Sequence, residues 1–334
     1  MKQKTIWFDL TNVPHVSFLH PICDHFKNIF DYIFTIRDFA ETKGLFAKKF
    51  GFTPPAVGKH EGGNKIKKVL GSINRTIALS NKVEQFDVKI SVGGDASSIV
   101  AKLRGKLSIT FDDNEKAPNW RYSRFSDLAF WPASVPLSVL KRQGFKEKKL
   151  FQYNGYKEDI YVADFRPDNS FIKTLPFNKY VLVRPENIQA NYVSANESIV
   201  PVLLRKLAAE GHNILYLPRY EHDKSYAKGV SNIYMPEQAV DGLDACFFAD
   251  CVLTGAGTLA REAACLGIPA ISFYAGKELL TVDQDMIDKG LMFFSRQPDK
   301  IIDKMKLFSK TNPDFKRSQF AKKQIIEKLQ ETLE

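Results

Sequence analysis

The amino-acid sequence predicts an α/β protein built from two doubly wound domains. Apolar strand-like runs alternate with amphipathic helical runs from residue 5 onward, and this alternation breaks between about residues 150 and 178 before it resumes. Repeated alternation is typical of parallel sheets with helices on both faces. The length of 334 residues also suits two such domains better than one.

In the first half of the chain, each predicted strand is a short apolar run that leads through a polar or glycine-containing turn into a helical pattern. The predicted strands are residues 5–10, 32–36, 87–91, 107–111 and 127–131. The predicted helices are residues 18–30, 41–50, a stretch that ends near residue 82, and 96–104. We therefore expect an N-terminal Rossmann-like domain over residues 1–155 and a linker over residues 156–178.

The second half repeats the pattern. The predicted strands are residues 180–183, 213–217, 251–253 and a run that follows Pro269. The predicted helices are residues 198–210, 241–249, a helix that stops at Gly267, 298–308 and 315–333. These elements predict a C-terminal Rossmann-like domain over residues 179–311, followed by a C-terminal helix over residues 312–334.

Composition excludes several classes of protein. Hydrophobic residues make up 44% and charged residues 26% of the chain, as is typical of a globular protein. No apolar run is long enough to span a bilayer, and the N-terminal apolar run is too short for a signal peptide, so we expect a cytoplasmic location. The four cysteines show no C-x-x-C spacing, which favours buried thiols over disulfides. The histidines show no zinc-binding spacing, and we expect neither a metal nor a tightly bound cofactor.

The net charge of +10 favours anionic partners. No zinc finger, RNA-binding aromatic signature or arginine-rich arm is present, so we expect no nucleic acid. A basic helical stretch and the lysine-rich C-terminal helices could contact anionic lipid at a membrane surface, although a solvated helix face is the favoured alternative. The cations of the basic stretch are Lys65, Lys67, Lys68 and Arg75.

The most informative segment is a glycine-containing turn between a strand and a helix. The turn reads Gly255-Ala256-Gly257-Thr258 and follows the predicted strand at 251–253. Small residues let a phosphate approach the backbone, and the first amides of a helix have no partner within the helix. One turn further on, Glu262 is placed to accept hydrogen bonds from a ribose. A tight structural turn, with Glu262 as an ordinary acidic residue near a helix start, is the plain alternative.

Two arginines follow strands of the second half. Arg184 comes after the strand at 180–183, and Arg219 after the strand at 213–217. The planar fork of a guanidinium suits a diphosphate. An ion pair on the surface is the alternative in both cases. A diphosphate together with a ribose indicates a nucleotide, and here a nucleotide-sugar is expected as the substrate.

Candidates for a catalytic base lie in the first half. Asp95 follows two glycines and precedes a helix, where it could equally serve as a helix cap. Asp112 opens an acidic loop over residues 112–115, which could equally be a helix start. His15 lies in the first strand–helix loop, and its side chain titrates near neutrality. His60 is a weaker candidate.

The sequence resembles the GT-B superfamily of nucleotide-sugar enzymes and, within it, an archaeal family of unknown function. The resemblance covers nearly the whole chain and includes the turn and helix that run from Gly255 to Pro269. Its other marks are Phe8-Asp9 with Pro14-His15, Gly58-Lys59-His60, Phe111-Asp112-Asp113-Asn114-Glu115, Gly155-Tyr156-Lys157-Glu158 and Val183-Arg184-Pro185-Glu186-Asn187.

The chain also resembles UDP-N-acetylglucosamine 2-epimerases. This resemblance rests on Gly94-Asp95-Ala96-Ser97, Arg184-Pro185-Glu186-Asn187, Ala256-Gly257-Thr258 with Arg261-Glu262, and the strand that ends in Phe130-Trp131-Pro132. It implies that Arg184 contacts the donor diphosphate and Glu262 the ribose, and that Asp95 and Asp112 stand where the epimerases have catalytic carboxylates. The sequence departs from the epimerase pattern at residues 117–121, which contain no acid, and at Val183, which replaces a histidine.

These resemblances imply a GT-B architecture, in which two Rossmann-like domains face an interdomain cleft. The C-terminal domain would bind a nucleotide-sugar, with UDP as the expected nucleotide, and the N-terminal domain would hold the acceptor and the base. The leading interpretation is a glycosyltransferase that acts in surface-glycan or polysaccharide synthesis on an unknown glycan or lipid-linked acceptor. The alternatives are 2-epimerisation or hydrolysis of the same donor, and a non-catalytic nucleotide-sugar-binding protein.

Overall fold

A computed structural model describes residues 3–38, 42–59, 65–187, 197–238 and 240–334, with the backbone alone at residues 59 and 65–68. The chain divides into two compact units. Unit 1 consists of Met1–Ala163 together with Arg317–Glu334, and unit 2 consists of Asp164–Lys316.

Unit 1 is an α/β unit in which strands and helices alternate along the chain. Its strands are β1 (Thr5–Leu10), β2 (Asp31–Asp38), β3 (Ala56–Lys59), β4 (Val88–Val92), β5 (Leu107–Phe111), β6 (Leu128–Pro132) and β7 (Leu150–Tyr153). The helices that connect them are α1 (Val13–Phe26), α2 (Thr42–Phe50), α3 (Lys65–Lys82), α4 (Asp95–Leu103), α5 (Trp120–Ser123) and α6 (Leu137–Arg142), and α7 (Asp159–Val162) follows β7.

The strands of unit 1 form a parallel sheet in the order β3-β2-β1-β4-β5-β6-β7. The order reverses between β1 and β4, so the connections that leave these two strands run in opposite directions. In open sheets of this kind, such a reversal leaves a crevice at the carboxyl ends of the strands, where ligands bind.

Both faces of this sheet are covered, which explains the nearly continuous apolar runs of its strands. Successive side chains of a strand point to opposite faces. On one face Trp7 packs against Phe86, with ring centroids 5.0 Å apart. On the other face Phe8 stacks on Phe34 at 5.4 Å. Burial of alternate aromatic side chains on opposite faces fixes the register of β1, because a shift by one residue would exchange the two sets.

Unit 2 repeats the architecture with shorter strands. They are β8 (Val181–Arg184), β9 (Ile214–Tyr216), β10 (Ile233–Tyr234), β11 (Cys251–Thr254), β12 (Ala270–Ser272) and β13 (Phe293–Phe294). The helices are α8 (Val200–Ala209), α9 (Gly242–Phe248), α10 (Gly257–Cys265), α11 (Thr281–Asp288) and α12 (Pro298–Leu307). The parallel sheet has the order β10-β9-β8-β11-β12-β13, and its order reverses between β8 and β11.

The last helix, α13 (Phe315–Leu333), packs within unit 1 although it follows unit 2 along the chain. Its apolar face, which includes Ile325 and Leu329, is buried. Near its start, the Arg317 guanidinium contacts the buried Asp159 carboxylate at 3.0 Å. Side chains of α13 therefore complete the packing of unit 1.

Several elements differ from the sequence-based expectations. Helix α1 begins at Val13 rather than near residue 18, because Pro14 is compatible with a first helical turn. Strands β3 and β7 were not among the predicted strands, yet both pair in the sheet of unit 1. The four cysteines are free and buried, as predicted. Within the described residues, no helix combines the length and the hydropathy that a membrane crossing requires.

Candidate functional site

The turn after β11 is fixed by a close backbone contact. A Cβ atom on Gly255 would lie 2.4 Å from the Cα atom of Glu186, so only glycine fits there. Gly255 is buried, and the space left by its missing side chain is filled by Glu186 rather than left for a ligand. The Thr254 hydroxyl accepts a hydrogen bond from the Ala256 amide at 2.9 Å, which holds the chain in the turn that starts α10.

The start of α10 is a candidate anion site. Ala256 is its N-cap residue, and among the described residues no side chain caps this end of the helix. Ala256, Gly257 and Thr258 are half-buried. Amides in the first turn of a helix have no acceptor within the helix, and the helix dipole adds positive potential there. The predicted phosphate-binding turn is therefore partly accessible at these three residues, although not at Gly255.

Arg184 lies beside this turn. It ends β8, where it pairs in register with Thr254, and its carbonyl accepts a hydrogen bond from the Gly255 amide at 3.1 Å. The side chain is half-buried. The sheet order therefore places Arg184 on the strand beside the turn that leads into α10, at the reversal between β8 and β11.

Glu262 lies one turn into α10 and is half-buried. Its Oε2 atom is 3.7 Å from the position that a Cβ atom on Gly242 would occupy. Burial raises the pKa of the Cys246 thiol well above its usual range, and the charge of Glu262 raises it further while Arg184 opposes the change. The charges of Glu262 and Arg184 thus both act on the Cys246 thiol.

The sequence interpretation missed a second guanidinium near the same helix start. Arg261 is buried and pairs with Asp283 at 2.8 Å. Its Nη1 atom is 3.1 Å from the position of a Cβ atom on Gly257. The spacing of four residues between Gly257 and Arg261 places them one above the other on the helix, and this spacing is the signal that could have identified the contact.

Glu186 and Arg219 complete the polar groups at this end of unit 2. The buried Glu186 carboxylate accepts hydrogen bonds from the Ser198 hydroxyl at 2.9 Å and from Arg296 at 3.2 Å, so it fixes the segment after β8. Arg219 follows β9 and is half-buried, and its backbone amide donates to Asp223 at 2.9 Å. Among the described residues its Nε atom has no hydrogen-bond partner.

In unit 1, Asp112 follows β5 and is buried. Its carboxylate accepts hydrogen bonds from the Tyr122 hydroxyl at 2.5 Å, from the Asp113 amide at 2.8 Å and from the Asn114 amide at 3.0 Å. Burial and then the charge of Asp113 raise the pKa of Asp112 to about 6, against the lowering effect of these hydrogen bonds. Gly93, in the loop after β4, lies against this carboxylate. Asp112 therefore titrates close to neutrality.

The neighbouring Asp113 forms a buried ion pair with Lys157, at 2.7 Å. His15, in the first turn of α1, is close to both. Burial and then the charge of Lys157 lower the pKa of His15 to about 3, although Asp113 opposes the change. The Thr11 amide donates to Nδ1 of His15 at 3.3 Å, which leaves the proton of the neutral ring on Nε2. His60 lies outside the described residues.

Asp95 is the first residue of α4 and is half-buried. Its Oδ2 atom accepts a hydrogen bond from the Ser72 hydroxyl at 2.9 Å, which ties α4 to α3. Gly94, rather than Asp95, is the N-cap residue. The structure therefore brings Asp112 and His15 to one cluster with Asp113 and Lys157, and it gives Asp95 a contact with α3.

A buried ion pair at the end of β1 was also not predicted. Arg75 of α3 donates to the fully buried Asp9 carboxylate at 2.9 and 2.5 Å, and the Thr35 hydroxyl donates at 2.7 Å. Burial alone would raise the pKa of Asp9, but the charge and hydrogen bonds of Arg75 outweigh it and hold the pKa at about 2. In the described part of the chain, no group of three or more His, Cys, Asp or Glu side chains could hold a metal ion.

Comparison with solved structures identifies the same architecture. The UDP-GlcNAc 2-epimerase of Methanocaldococcus jannaschii, in complex with UDP-GlcNAc and UDP, is 16% identical, with a TM-score of 0.73 over 98% of this chain and 99% of that chain. The S. aureus MnaA–UDP structure is 14% identical, with a TM-score of 0.74 over 99% of this chain and 97% of that chain. The glycotransferase of kitacinnamycin is 10% identical, with a TM-score of 0.62 over 98% and 96%. The predicted α/β class, with two doubly wound domains of GT-B type, is confirmed.

Sequence comparison finds the uncharacterized protein MJ0665 of Methanocaldococcus jannaschii. It is 28% identical over 312 residues, which cover 89% of this chain and 89% of that protein. The expected relation to an archaeal family of unknown function is therefore confirmed. The family described as "Protein of unknown function (DUF354)" matches residues 4–332, and the chain belongs to this family.

Proposed function

We propose that this protein is a glycosyltransferase that uses a UDP-linked sugar as donor, in the synthesis of a surface glycan or polysaccharide. The observation that carries the proposal is the half-buried start of α10, where the N-cap residue Ala256 supplies no capping side chain and Arg184 lies on the neighbouring strand. This arrangement supports the binding of a diphosphate in unit 2.

The donor would be held at three points. The amides of Gly257 and Thr258 would bind one phosphate and Arg184 the diphosphate as a fork, because charge-assisted hydrogen bonds at a helix start favour anions. The Ala256 amide donates to the Thr254 hydroxyl, so Ala256 would contribute by leaving room for the phosphate. Glu262 would accept hydrogen bonds from the ribose hydroxyls. Arg219 is a weaker candidate for the diphosphate. Two similar folds, solved with UDP-GlcNAc and UDP or with UDP, support UDP as the nucleotide.

Unit 1 would supply the base. Of the candidates Asp95, Asp112 and His15, Asp112 is the best suited, because a carboxyl with a pKa of about 6 is ionised at neutral pH and still accepts a proton well. His15 is a weak base with its proton on Nε2, so we assign it the role of a hydrogen-bond donor. Transfer needs a base and a stabilised diphosphate leaving group, and these residues can provide both.

The first experiment measures donor binding by thermal unfolding. UDP and UDP-GlcNAc should each raise the stability, by about 2.7 kcal/mol when present at about 100 times the dissociation constant. The Arg184→Ala variant should show a clearly smaller stabilisation at the same ligand concentration, and Arg205→Ala is a matched control because Arg205 is exposed on α8. Equal stabilisation of Arg184→Ala and wild type would remove Arg184 from the donor site.

The second experiment separates the reactions. The protein is incubated with UDP-GlcNAc in heavy water without an acceptor, and the sugar is analysed by NMR. A transferase leaves the sugar unlabelled and converts little of it, whereas deuterium at the second carbon would establish 2-epimerisation, and rapid release of UDP with free sugar would establish hydrolysis. The carboxylates at the ends of β4 and β5, Asp95 and Asp112, are the observation that keeps epimerisation as the second candidate.

A non-catalytic binding protein is the third candidate. It predicts that UDP-GlcNAc binds without turnover under every condition, with or without a glycan extract as acceptor source. It also predicts that Asp112→Asn and Asp95→Asn leave donor binding unchanged and abolish no reaction. Acceptor-dependent release of UDP that Asp112→Asn abolishes would exclude it.

A further inference from the structure

Helix α3 presents an apolar surface to solvent. Val69, Leu70, Ile73 and Ile77 are 46%, 54%, 51% and 56% exposed. They follow one another at intervals of one, three and four residues, so they form one continuous stripe along the helix, which we name the α3 stripe. A surface helix normally turns such a stripe toward the core, and a contiguous exposed apolar patch marks a site of interaction.

The orientation of α3 is fixed by its opposite face. Arg75 is held by the buried Asp9 carboxylate, and Leu79 belongs to the apolar core around Trp7. At the C-terminal end, the Arg104 guanidinium donates to the carbonyls of Ser80, Val83 and Glu84. The α3 stripe cannot rotate inward unless these contacts break.

The charge of α3 indicates which kind of surface the α3 stripe would bind. The helix contains no Asp or Glu, whereas Lys65, Lys67, Lys68 and Lys82 stand in it besides the paired Arg75. Helix α4 packs beside α3 and ends in Leu103, which is 75% exposed. Two copies of this chain that met through α3 would bring like charges together. An anionic lipid surface instead complements both the apolar stripe and the lysines.

We infer that unit 1 docks on an anionic membrane surface through α3, with the α3 stripe in the interface between headgroups and acyl chains. The helix lies in the plane of the membrane, and its net positive charge favours the anionic headgroups. This inference does not depend on the nucleotide-sugar proposal, because docking is measured without nucleotide.

The experiment is co-sedimentation of the full chain with vesicles. One set consists of phosphatidylcholine and the other of phosphatidylcholine with phosphatidylglycerol. We expect binding to the anionic vesicles that weakens as salt is added. The double change Ile73→Ser with Ile77→Ser should lower the partition coefficient by about 100-fold, because each buried side chain contributes roughly tenfold. Lys67→Glu with Lys68→Glu should lower it by about tenfold or more.

Leu307→Ser is the matched control, because Leu307 is a 79% exposed leucine on α12 of unit 2. This variant should sediment like wild type, and every variant should keep the wild-type midpoint of thermal unfolding. The inference is overturned if the wild type binds neither kind of vesicle, or if the Ile73, Ile77 variant binds like wild type. Light scattering tests the other occupant: a wild-type dimer that the same variant converts to a monomer, without vesicle binding, would assign the stripe to a second copy.

Discussion

The candidate sites of the two units consist of different kinds of chemical group. In unit 2 the site consists of a turn and a helix start, which are half-buried, with Thr254 to Glu262 close together in sequence. In unit 1 the cluster around Asp112 and the separate Arg75–Asp9 pair consist of buried charged side chains that are far apart in sequence, since Lys157 follows Asp113 by 44 positions and Arg75 follows Asp9 by 66.

This difference has a physical consequence. Backbone amides at a helix start can bind an anion while the fold stays unchanged, so substitutions around them should alter ligand affinity more than stability. Buried charges depend on one another, because removal of one partner leaves the other charge uncompensated. Substitutions in the cluster of unit 1 should therefore alter stability and its dependence on pH.

The largest effect is expected for Arg75→Ala. This change leaves the Asp9 carboxylate buried without its cation and should lower the free energy of unfolding by about 3–5 kcal/mol. Urea denaturation measures the loss. Lys27→Ala serves as the control, because it breaks a pair with Asp24 in which both side chains are about 60% exposed and should cost about 0–1 kcal/mol. Similar small losses in both variants would contradict a tightly coupled charge cluster in unit 1.

The next effect is the pH dependence that Asp112 imposes. Its folded pKa of about 6 lies above the unfolded value of 3.8, so the folded state holds the proton more tightly between these values. Stability should therefore fall as the pH rises from about 4 to 7, by about 3 kcal/mol from this group. Asp9 acts in the opposite direction, because its folded pKa of about 2 lies below the unfolded value of 3.8. Its contribution to the free energy of unfolding is present above pH 3.8 and is lost as the pH falls through 2.

The Asp112→Asn variant tests this assignment, because the amide oxygen can still accept hydrogen bonds but no longer titrates. Unfolding free energies measured from about pH 4 to pH 7 should lose the slope that Asp112 contributes to the wild type. If the wild-type slope persists in Asp112→Asn, another group causes it.

Gly255→Ala should lower the free energy of unfolding by the third largest amount, although Gly255 lies in unit 2. The new Cβ atom would meet the backbone of Glu186 at 2.4 Å, and overpacking of this kind costs about 1–3 kcal/mol or more. Gly257→Ala is the matched control, because its Cβ atom would meet side-chain ends rather than backbone, with Nη1 of Arg261 nearest at 3.1 Å. Thermal unfolding compares the two variants, and equal midpoints would show that the contact with Glu186 does not constrain the turn.

The smallest effects on stability should be those of the arginine variants, which act on nucleotide affinity instead. Arg184→Ala should weaken the binding of UDP by about 1.5–3 kcal/mol, the usual contribution of a hydrogen bond to a charged group, with little change in stability. Arg219→Ala should weaken it less, because Arg219 follows β9, one strand further from the turn. Isothermal titration with UDP measures both. A larger loss for Arg219→Ala would move the diphosphate toward β9.

The sequence was sufficient to predict the fold class and the elements around the turn of unit 2. A strand, a turn of small residues and a helix follow one another within about twenty residues there, so the local sequence pattern is enough to predict these elements. Strands β10 and β13 have two residues each, which is too short for any periodicity to appear. Strand β3 contains a glycine, Gly58, with a φ of 80°, and a glycine in such a short run is more typical of a loop than of a strand.

The candidate cluster of unit 1 could be predicted only in part. The acidic loop that begins at Asp112 stands out as charge after an apolar strand, and His15 stands out as a histidine after the first strand. Burial and the charge of Asp113 raise the pKa of Asp112, whereas burial and the charge of Lys157, which belongs to a distant segment, lower the pKa of His15. Neither burial nor a pair such as Arg75 with Asp9 can be derived from the spacing of residues along the chain.

The return of α13 to unit 1 constrains the order in which this protein can fold during its synthesis. The ribosome releases the final helix only after all of unit 2 has emerged, so unit 2 can reach its complete fold first. Until then, the apolar groups of unit 1 that α13 covers stay exposed and are a target for chaperones. A circular permutant that carries α13 ahead of β1 would free unit 1 from this delay.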